Sequence, residues 1–171
     1  MALPKLIITD IDGVWTDGGM YYDNVAGNEL KKFNTSDSAG VLFARLLDIP
    51  VAVISGEKTE IIRRRCEKLK IEETHFGISN KLVVAREICS RLSCELSEVA
   101  FIGDDINDII LLREVGFAAT PANAADYVKR EASLVTSKSG GEGAFREFVE
   151  VILKKNNALD KALDLYLQSI A

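Results

Sequence analysis

The sequence contains few of the residues on which several classes of site depend. His75 is the only histidine among 171 residues, which disfavours a histidine-based zinc site and a Ser-His-Asp triad. The three cysteines, Cys66, Cys89 and Cys94, cannot all pair within one chain, and none stands in a C-x-x-C spacing. We expect reduced, buried thiols. Any catalysis must therefore depend mainly on carboxylates and lysine.

An excess of positive charge and long apolar segments are also missing. The net charge of -5 disfavours nucleic acid or an anionic membrane as the main partner. No run of about 18 apolar residues occurs, and the first residues do not form a signal peptide, so we expect a cytoplasmic protein. With 47% hydrophobic residues, the chain is long enough for one compact core, and we expect a single domain over residues 1–171.

Short apolar runs alternate with amphipathic stretches along most of the chain. This alternation predicts an α/β fold with three layers, a doubly wound parallel sheet with helices on both faces. The predicted strands are 5–9, 51–54, 99–102, 116–118 and 134–135, and the predicted helices are 37–47, 58–69, 81–92 and 108–115. Right-handed crossovers then place the carboxyl ends of the strands, where ligands bind, at one edge.

Two segments depart from this alternation. Residues 20–33 read as an aromatic strand, a polar turn and a second strand, which predicts a β-hairpin that packs on its own domain or on another copy. Residues 140–171 form a glycine-rich tail and helix, in which 139–143 is predicted to be a flexible break before a helix over 144–154.

Acidic residues follow two of the predicted strands directly. Asp10 and Asp12 come after the first strand, and Asp104, Asp105 and Asp108 come after strand 99–102. At one sheet edge these carboxylates repel one another unless a cation lies among them, and oxygen ligands select a hard ion such as Mg²⁺. Taken singly, Asp105 and Asp108 are equally well explained as helix caps.

Two further elements suit a phosphate group. Ser55 and Gly56 follow strand 51–54 and are predicted to open the next helix, so a hydroxyl and backbone N–H groups would lie at a positive helix terminus. Lys81 opens another helix, close to where a phosphoryl oxygen could be neutralised. Either feature alone is weak, since serine often only caps a helix.

Together and in this order, these motifs resemble those of the haloacid dehalogenase superfamily. The first motif reads Asp10-Ile11-Asp12-Gly13-Val14-Trp15-Thr16, the second is Ser55, the third is Lys81, and the fourth is Gly103-Asp104-Asp105 with Asp108. The resemblance implies a Mg²⁺-dependent phosphoric monoester hydrolase. The resemblance implies that Asp10 is the nucleophile and Asp12 the general acid and base. The implied metal ligands are Asp10, the backbone carbonyl of Asp12, and Asp104, with Asp105 and Asp108 around the metal site. The implied phosphate ligands are Ser55, Gly56, Lys81 and Asn107.

The gaps between the motifs leave no room for a cap domain. A capless chain with this hairpin, Phe33-Asn34-Thr35 and a glycine-rich tail resembles the 3-deoxy-D-manno-octulosonate 8-phosphate phosphatases and the similar 9-phosphate phosphatases of nine-carbon keto-deoxy sugar acids. That resemblance implies a sugar acid phosphate as substrate and a homotetramer built on the hairpins, with sites shared between subunits and Arg146 contributed to a neighbour.

The choice between an eight-carbon and a nine-carbon substrate depends on a few residues that differ from the octulosonate pattern. Ser36-Asp37-Ser38 and Glu57 depart from the octulosonate pattern and match the nine-carbon branch. Glu57, Arg64 and Lys68 are spaced as one helical stripe and are predicted to contact the sugar acid, although exposed salt bridges would give the same spacing. We therefore expect the nine-carbon 9-phosphate, with the eight-carbon 8-phosphate as the alternative.

Rival interpretations remain at this point. A receiver domain also phosphorylates an aspartate beside Mg²⁺, but it would be shorter and would not need Asp12. A non-catalytic oligomerisation domain of a sugar-nucleotide pathway is argued against by the intact Asp10, Asp12, Lys81 and Asp104. No G-x-x-x-x-G-K-[ST] pattern occurs, which disfavours a nucleoside triphosphatase.

Overall fold

The computed structural model describes residues 2–22, 24 and 29–171. Within these residues, six strands form a parallel sheet and two form a hairpin. The strands are β1 (Leu6–Thr9), β2 (Tyr21–Tyr22), β3 (Glu29–Leu30), β4 (Val51–Ser55), β5 (Glu73–Phe76), β6 (Val99–Ile102), β7 (Phe117–Thr120) and β8 (Leu134–Val135).

Helices connect most of the strands of the large sheet. They are α1 (Asp37–Leu46), α2 (Glu60–Lys68), α3 (Lys81–Leu92), α4 (Ile109–Glu114), α5 (Asp126–Lys129), α6 (Ala144–Lys155) and α7 (Leu159–Ile170), with 3₁₀ turns at Leu96–Glu98 and Ile106–Asp108. In the described part of the chain, no helix has the length and apolar character needed to cross a membrane.

The sheet confirms the predicted doubly wound fold. Its strand order is β5-β4-β1-β6-β7-β8, so the chain first builds outward from β1 on one side and then returns to build on the other. Thr9 at the end of β1 pairs with Val53 on β4 and with Ile102 on β6. The loops after these three central strands therefore meet at the switch point, which is where such sheets bind ligands.

Both faces of the sheet are covered by helices. Because successive strand side chains point to opposite faces, Ile7 packs in one apolar cluster with Phe145 and Phe148, while Ile8 packs in the other with Ile88. Burial on both faces explains why β1 reads as a continuous apolar run. These two cores hold the strand ends in fixed positions.

The hairpin is present but shorter than predicted. Tyr21 pairs with Leu30 and Tyr22 with Glu29, and an isolated bridge joins Thr16 to Phe33. The predicted turn lies outside the described residues except for Asn24. No cap domain separates β1 from α1 or β4 from α3 within the described ranges, as predicted.

Several elements differ from the sequence prediction. Helix α2 begins at Glu60 rather than at residue 58, because Thr59 has an extended backbone with φ -121° and ψ 149°. Helices α5 and α7 were not predicted, and β5 lies in the gap between Ser55 and Lys81, where no strand bounds were given. α5 is a single turn and gives little apolar pattern. α7 has apolar residues at helical spacing, from Leu159 and Ala162 to Leu167 and Ile170, so its signal was present in the sequence and was missed.

The glycine-rich segment corrects the prediction of a flexible break. A β-carbon at Gly140 would lie 1.8 Å from the carbonyl oxygen of Gly13, so only glycine fits there. The Gly141 N–H donates to the Val14 carbonyl oxygen at 3.1 Å, and the Asn34 side chain donates to the Gly141 carbonyl oxygen at 3.2 Å. The segment thus supports the first motif of its own chain.

Helix α6 receives a cap from another helix. Its N-cap residue, Gly143, has no side chain, and the Asp37 carboxylate of α1 accepts a hydrogen bond from the Arg146 N–H at 2.9 Å. Burial raises the pKa of Asp37 to about 6, although this hydrogen bond and the charges of Arg65 and Lys138 oppose the shift. The contact fixes α1 and α6 against each other.

Candidate active site

A cavity of about 250 Å³ lies at the carboxyl edge of the sheet, where the loops after β1, β4 and β6 meet. A larger cleft of about 490 Å³ opens at the opposite edge, beside Pro50 and Val51, and it contains none of the predicted site residues. The smaller cavity is therefore the candidate active site. It is lined by Asp10, Asp12, Gly13, Gly18, Ser55, Gly56, Glu57, Asp104, Asp105 and Asn107.

Asp10 and Lys81 form a buried ion pair at the base of this cavity. The Lys81 ammonium lies 2.7 Å from Asp10 Oδ2 and 2.6 Å from Asp108 Oδ1, with the three side chains almost fully buried. Burial alone would lower the pKa of Lys81, but the two carboxylates raise it and keep the lysine charged. The Ile11 N–H donates to Asp10 Oδ1 at 2.7 Å, so both carboxylate oxygens are held.

Asp108 organises the loop that follows β6. Its Oδ2 accepts hydrogen bonds from the Asp104 N–H at 2.9 Å and the Asp105 N–H at 3.1 Å. A β-carbon at Gly103 would lie 2.4 Å from the Asp108 carboxyl carbon, which explains the glycine. Asp105 in turn caps the 3₁₀ turn through the Ile106 N–H. Both residues thus serve as structural caps, the interpretation that the sequence left open for each alone.

The carboxylates at this edge form a cluster that fits a divalent cation. Oxygen atoms of Asp10, Asp104 and Asp108 lie within 4.8 Å of one another. Burial raises the pKa of Asp10 to about 7 and that of Asp104 to about 8, and repulsion within the cluster adds to both shifts. Asp104 Oδ1 is buried without a partner among the described residues. A hard cation would satisfy this oxygen and offset the repulsion.

Asp12 is held from the hairpin by a lysine that the sequence analysis did not identify. The Lys31 ammonium lies 2.6 Å from Asp12 Oδ1 and 3.3 Å from Glu29 Oε1. Burial opposes a charged Lys31, but the two carboxylates outweigh it and raise its pKa. The Thr16 hydroxyl donates to the same Asp12 oxygen at 3.5 Å. The available sequence signal was that Lys31 and Glu29 share one face of a strand, opposite Leu30.

Ser55 and Gly56 line the cavity, but not in the way that was predicted. Because α2 begins only at Glu60, they do not lie at its terminus. The Ser55 hydroxyl instead accepts a hydrogen bond from the Glu57 N–H at 3.1 Å and shapes a loop. Asn107 lies across the cavity, with its amide nitrogen 3.5 Å from where a Gly56 β-carbon would be. These polar groups face the same space as Asp10.

The predicted specificity residues do not form one stripe. Glu57 lines the cavity from the loop before α2, whereas Arg64 and Lys68 lie exposed on the helix and do not line it. Since Glu57 is outside the helix, its spacing from Arg64 and Lys68 does not place the three on one helical stripe. Arg146 pairs with Glu150 on its own helix at 2.7 Å. Its contribution to a neighbouring site stays a prediction.

Three features together are those expected of a haloacid dehalogenase-like hydrolase: the sheet order, the cavity at its switch point, and the pair of Asp10 with Lys81. Residues 50–147 match the family model of haloacid dehalogenase-like hydrolases, and the chain belongs to that family. It is a phosphoric monoester hydrolase, as the motifs predicted.

Three related phosphatases indicate which members of the family this chain resembles. The chain is 37% identical over 158 residues to the 3-deoxy-D-manno-octulosonate 8-phosphate phosphatase KdsC of Escherichia coli K12, covering 92% of this chain and 84% of that protein. The phosphatase of the same name from Moraxella catarrhalis, solved with magnesium, phosphate and KDO, is 33% identical. It superposes with a TM-score of 0.90 over 95% of this chain and 93% of the other. A probable YrbI family phosphatase from Pseudomonas syringae is 41% identical, with a TM-score of 0.91 over 96% of this chain and 93% of the other.

Proposed function

We propose that this chain hydrolyses the phosphomonoester of 3-deoxy-D-manno-octulosonate 8-phosphate, with Mg²⁺ as cofactor. The observation that carries the proposal is that Asp10, paired with Lys81, and Asp12 line one cavity of a haloacid dehalogenase-like fold. The relatives named for this reaction match most of the chain. They favour the eight-carbon alternative over the nine-carbon substrate expected from the sequence.

The two carboxylates of the first motif divide the reaction between them. The Asp10 carboxylate attacks phosphorus while the bond between phosphorus and the sugar oxygen breaks, and Asp12 gives its proton to that oxygen. Water then attacks phosphorus of the aspartyl phosphate while Asp12 takes a proton from that water. The bond between phosphorus and the Asp10 oxygen breaks, which releases phosphate and regenerates the Asp10 carboxylate. Lys81 holds Asp10 in place and offsets part of the repulsion between carboxylate and phosphate.

Asp10, Asp104 and the backbone carbonyl of Asp12 are the proposed Mg²⁺ ligands. When bound, Mg²⁺ offsets the negative charge of the carboxylates and the phosphate. Asp108 is already engaged by Lys81 and two N–H groups, so it orients the site. The proposed phosphate ligands are Lys81, the Ser55 hydroxyl, the Gly56 N–H and Asn107.

Thermal unfolding with and without Mg²⁺ tests the metal site separately from activity. We expect Mg²⁺ to raise the melting temperature of the wild type, because the site exists only in the folded protein. Asp104→Asn should melt higher than the wild type in EDTA, since one repelling carboxylate is gone, and should gain little from Mg²⁺. The exposed Asp48 at the opposite edge gives a matched control, because Asp48→Asn should respond to Mg²⁺ as the wild type does. Equal gains in all three proteins would reject these ligands.

Steady-state kinetics on the two sugar acid phosphates tests the substrate. We expect kcat/KM for the eight-carbon 8-phosphate to exceed that for the nine-carbon 9-phosphate by about tenfold, the scale of one unmet polar contact in a closed site. Glu57 is the one predicted specificity residue that lines the cavity, so Glu57→Ala should alter this ratio. Arg64→Ala should leave it unchanged. A nine-carbon preference in the wild type would overturn the eight-carbon assignment.

We also propose a homotetramer built on the hairpin. Tyr21, Tyr22 and Leu30 are exposed on it, and Met20 beside them is also exposed. An apolar surface of this kind is typical of an interface between copies. Light scattering at micromolar concentration should give the mass of four chains, and Tyr22→Glu should lower it. A monomeric wild type would reject the assembly.

A further inference from the structure

The Lys31 side chain points inward from the hairpin, against the usual pattern of a strand. Its side chain is 1% exposed, while the neighbouring Leu30 is 62% exposed. A strand at a surface normally buries the leucine and exposes the lysine. Burying an ammonium group is costly unless it is paired. In this hairpin the lysine is buried against carboxylates and the leucine is exposed, so the ion pair replaces the usual burial of the leucine.

The partners of Lys31 distinguish the two oxygens of Asp12. Oδ1 accepts hydrogen bonds from the Lys31 ammonium and the Thr16 hydroxyl. Oδ2 is buried and has no partner among the described residues. Because an ammonium group can only donate, a proton on Asp12 cannot lie between Oδ1 and Lys31. It must lie on Oδ2.

We propose that Lys31 is a positioning residue, which fixes the orientation of the Asp12 carboxyl group at the cavity so that Asp12 can protonate the leaving oxygen. The inference deepens the proposed function and rests on it. In the step concerned, the electron pair of the breaking phosphorus–oxygen bond goes to the leaving oxygen. The Asp12 carboxyl proton moves to the same oxygen, leaving Asp12 ionised and still held by Lys31.

The effect of losing this role on kcat/KM should depend on the basicity of the leaving group. A sugar alkoxide is strongly basic and needs the proton as it departs, whereas p-nitrophenolate departs without one. The value of kcat/KM reports only steps up to formation of the aspartyl phosphate. Loss of Asp12 positioning should thus lower kcat/KM in proportion to leaving-group basicity. A general loss of structure would lower it equally for all substrates.

The test compares Lys31→Met with the wild type on p-nitrophenyl phosphate, phenyl phosphate and the octulosonate 8-phosphate. We expect kcat/KM to fall by less than about threefold on the first and by about a hundredfold on the sugar phosphate, with phenyl phosphate between them. Lys31→Arg retains a cationic donor and should recover part of the loss. Lys32→Met is the matched control, because Lys32 is exposed and lies 3.6 Å from Asp17.

Equal losses on all three substrates, or no loss, would overturn the positioning role. If Lys31→Met fails to fold, Lys31→Arg is measured on the same series, where a graded loss supports the role and a uniform loss overturns it. A wild type that is active on the aryl phosphates but inactive on the octulosonate phosphate rejects the proposed substrate alone. The two aryl phosphates then still test Lys31.

Discussion

The two carboxylates of the first motif are each paired with a lysine, but the two pairs lie in different parts of the molecule. Lys81 belongs to the helix that packs on the central sheet, and its side chain and that of Asp10 are almost fully buried. Lys31 comes from the hairpin outside the sheet, and its partners Asp12 and Glu29 keep side-chain exposures of 29% and 20%.

This difference matches the proposed chemistry. A nucleophile must be held rigidly in a dry site, and a buried pair within the scaffold achieves this. The acid lines the cavity beside the hairpin, and Lys31 reaches it from there. The nucleophile is thus held from within the scaffold, and the acid is held from the hairpin.

Removing either carboxylate should have the largest effect on activity. We expect Asp10→Asn and Asp12→Asn each to leave a folded protein with turnover lowered by about a thousandfold or more, because one loses the nucleophile and the other the proton donor. Phosphate release with the sugar phosphate and Mg²⁺ measures this. Asp48→Asn serves as the control and should keep wild-type turnover. More than a tenth of wild-type activity in purified Asp10→Asn would contradict the assignment.

Removing either lysine should lower the free energy of unfolding, and the loss should be larger for Lys81 than for Lys31. In EDTA, Lys81→Met leaves Asp10 and Asp108 buried and unpaired, and we expect the free energy of unfolding to fall by about 3 kcal/mol. Lys31→Met should cost only about 1 kcal/mol, because water can reach its partners. Urea unfolding followed by circular dichroism gives both values. Equal costs would show that the two pairs do not differ in burial as described.

A smaller effect, on the pH dependence of stability, is expected from Asp37, which lies outside the active site. Its folded pKa of about 6 lies above the ordinary value of 3.8, so its contribution to stability is fully present below pH 3.8 and is lost as the pH rises through 6. Asp37→Asn keeps an oxygen for the Arg146 N–H and does not titrate. Between pH 4 and 7, wild-type stability should therefore fall relative to this variant, by on the order of 2 kcal/mol. Parallel curves would show that Asp37 is ionised throughout.

The parts of the fold and site nearest the central strands could be predicted from the sequence. The apolar runs of β1, β4 and β6 are buried on both faces, so their ends, and with them Asp10 and Asp104, were placed correctly at one edge. Lys81 was placed correctly at the first residue of a predicted helix. Local pattern was sufficient there because the topology of parallel sheets brings the strand ends together.

Features that depend on contacts distant in sequence could not be predicted in the same way. The pairing of Lys31 with Asp12 spans 19 residues, and that of Gly141 with Asn34 spans 107. Neither leaves a periodic signal. Glu57 appeared to continue the stripe of α2 because its spacing suited a helix, but the extended backbone of Thr59 starts that helix later.

Trapping the aspartyl phosphate distinguishes attack by Asp10 on phosphorus from direct attack by water. Protein mixed with the octulosonate 8-phosphate and Mg²⁺ is quenched in acid during turnover, and its peptides are analysed by mass spectrometry. We expect one phosphoryl group on the peptide that contains Asp10 in the wild type, and none in Asp10→Asn. A phosphoryl group on any other residue, or turnover by the wild type with no phosphorylated peptide under conditions that trap a reference aspartyl phosphate, would contradict attack by Asp10.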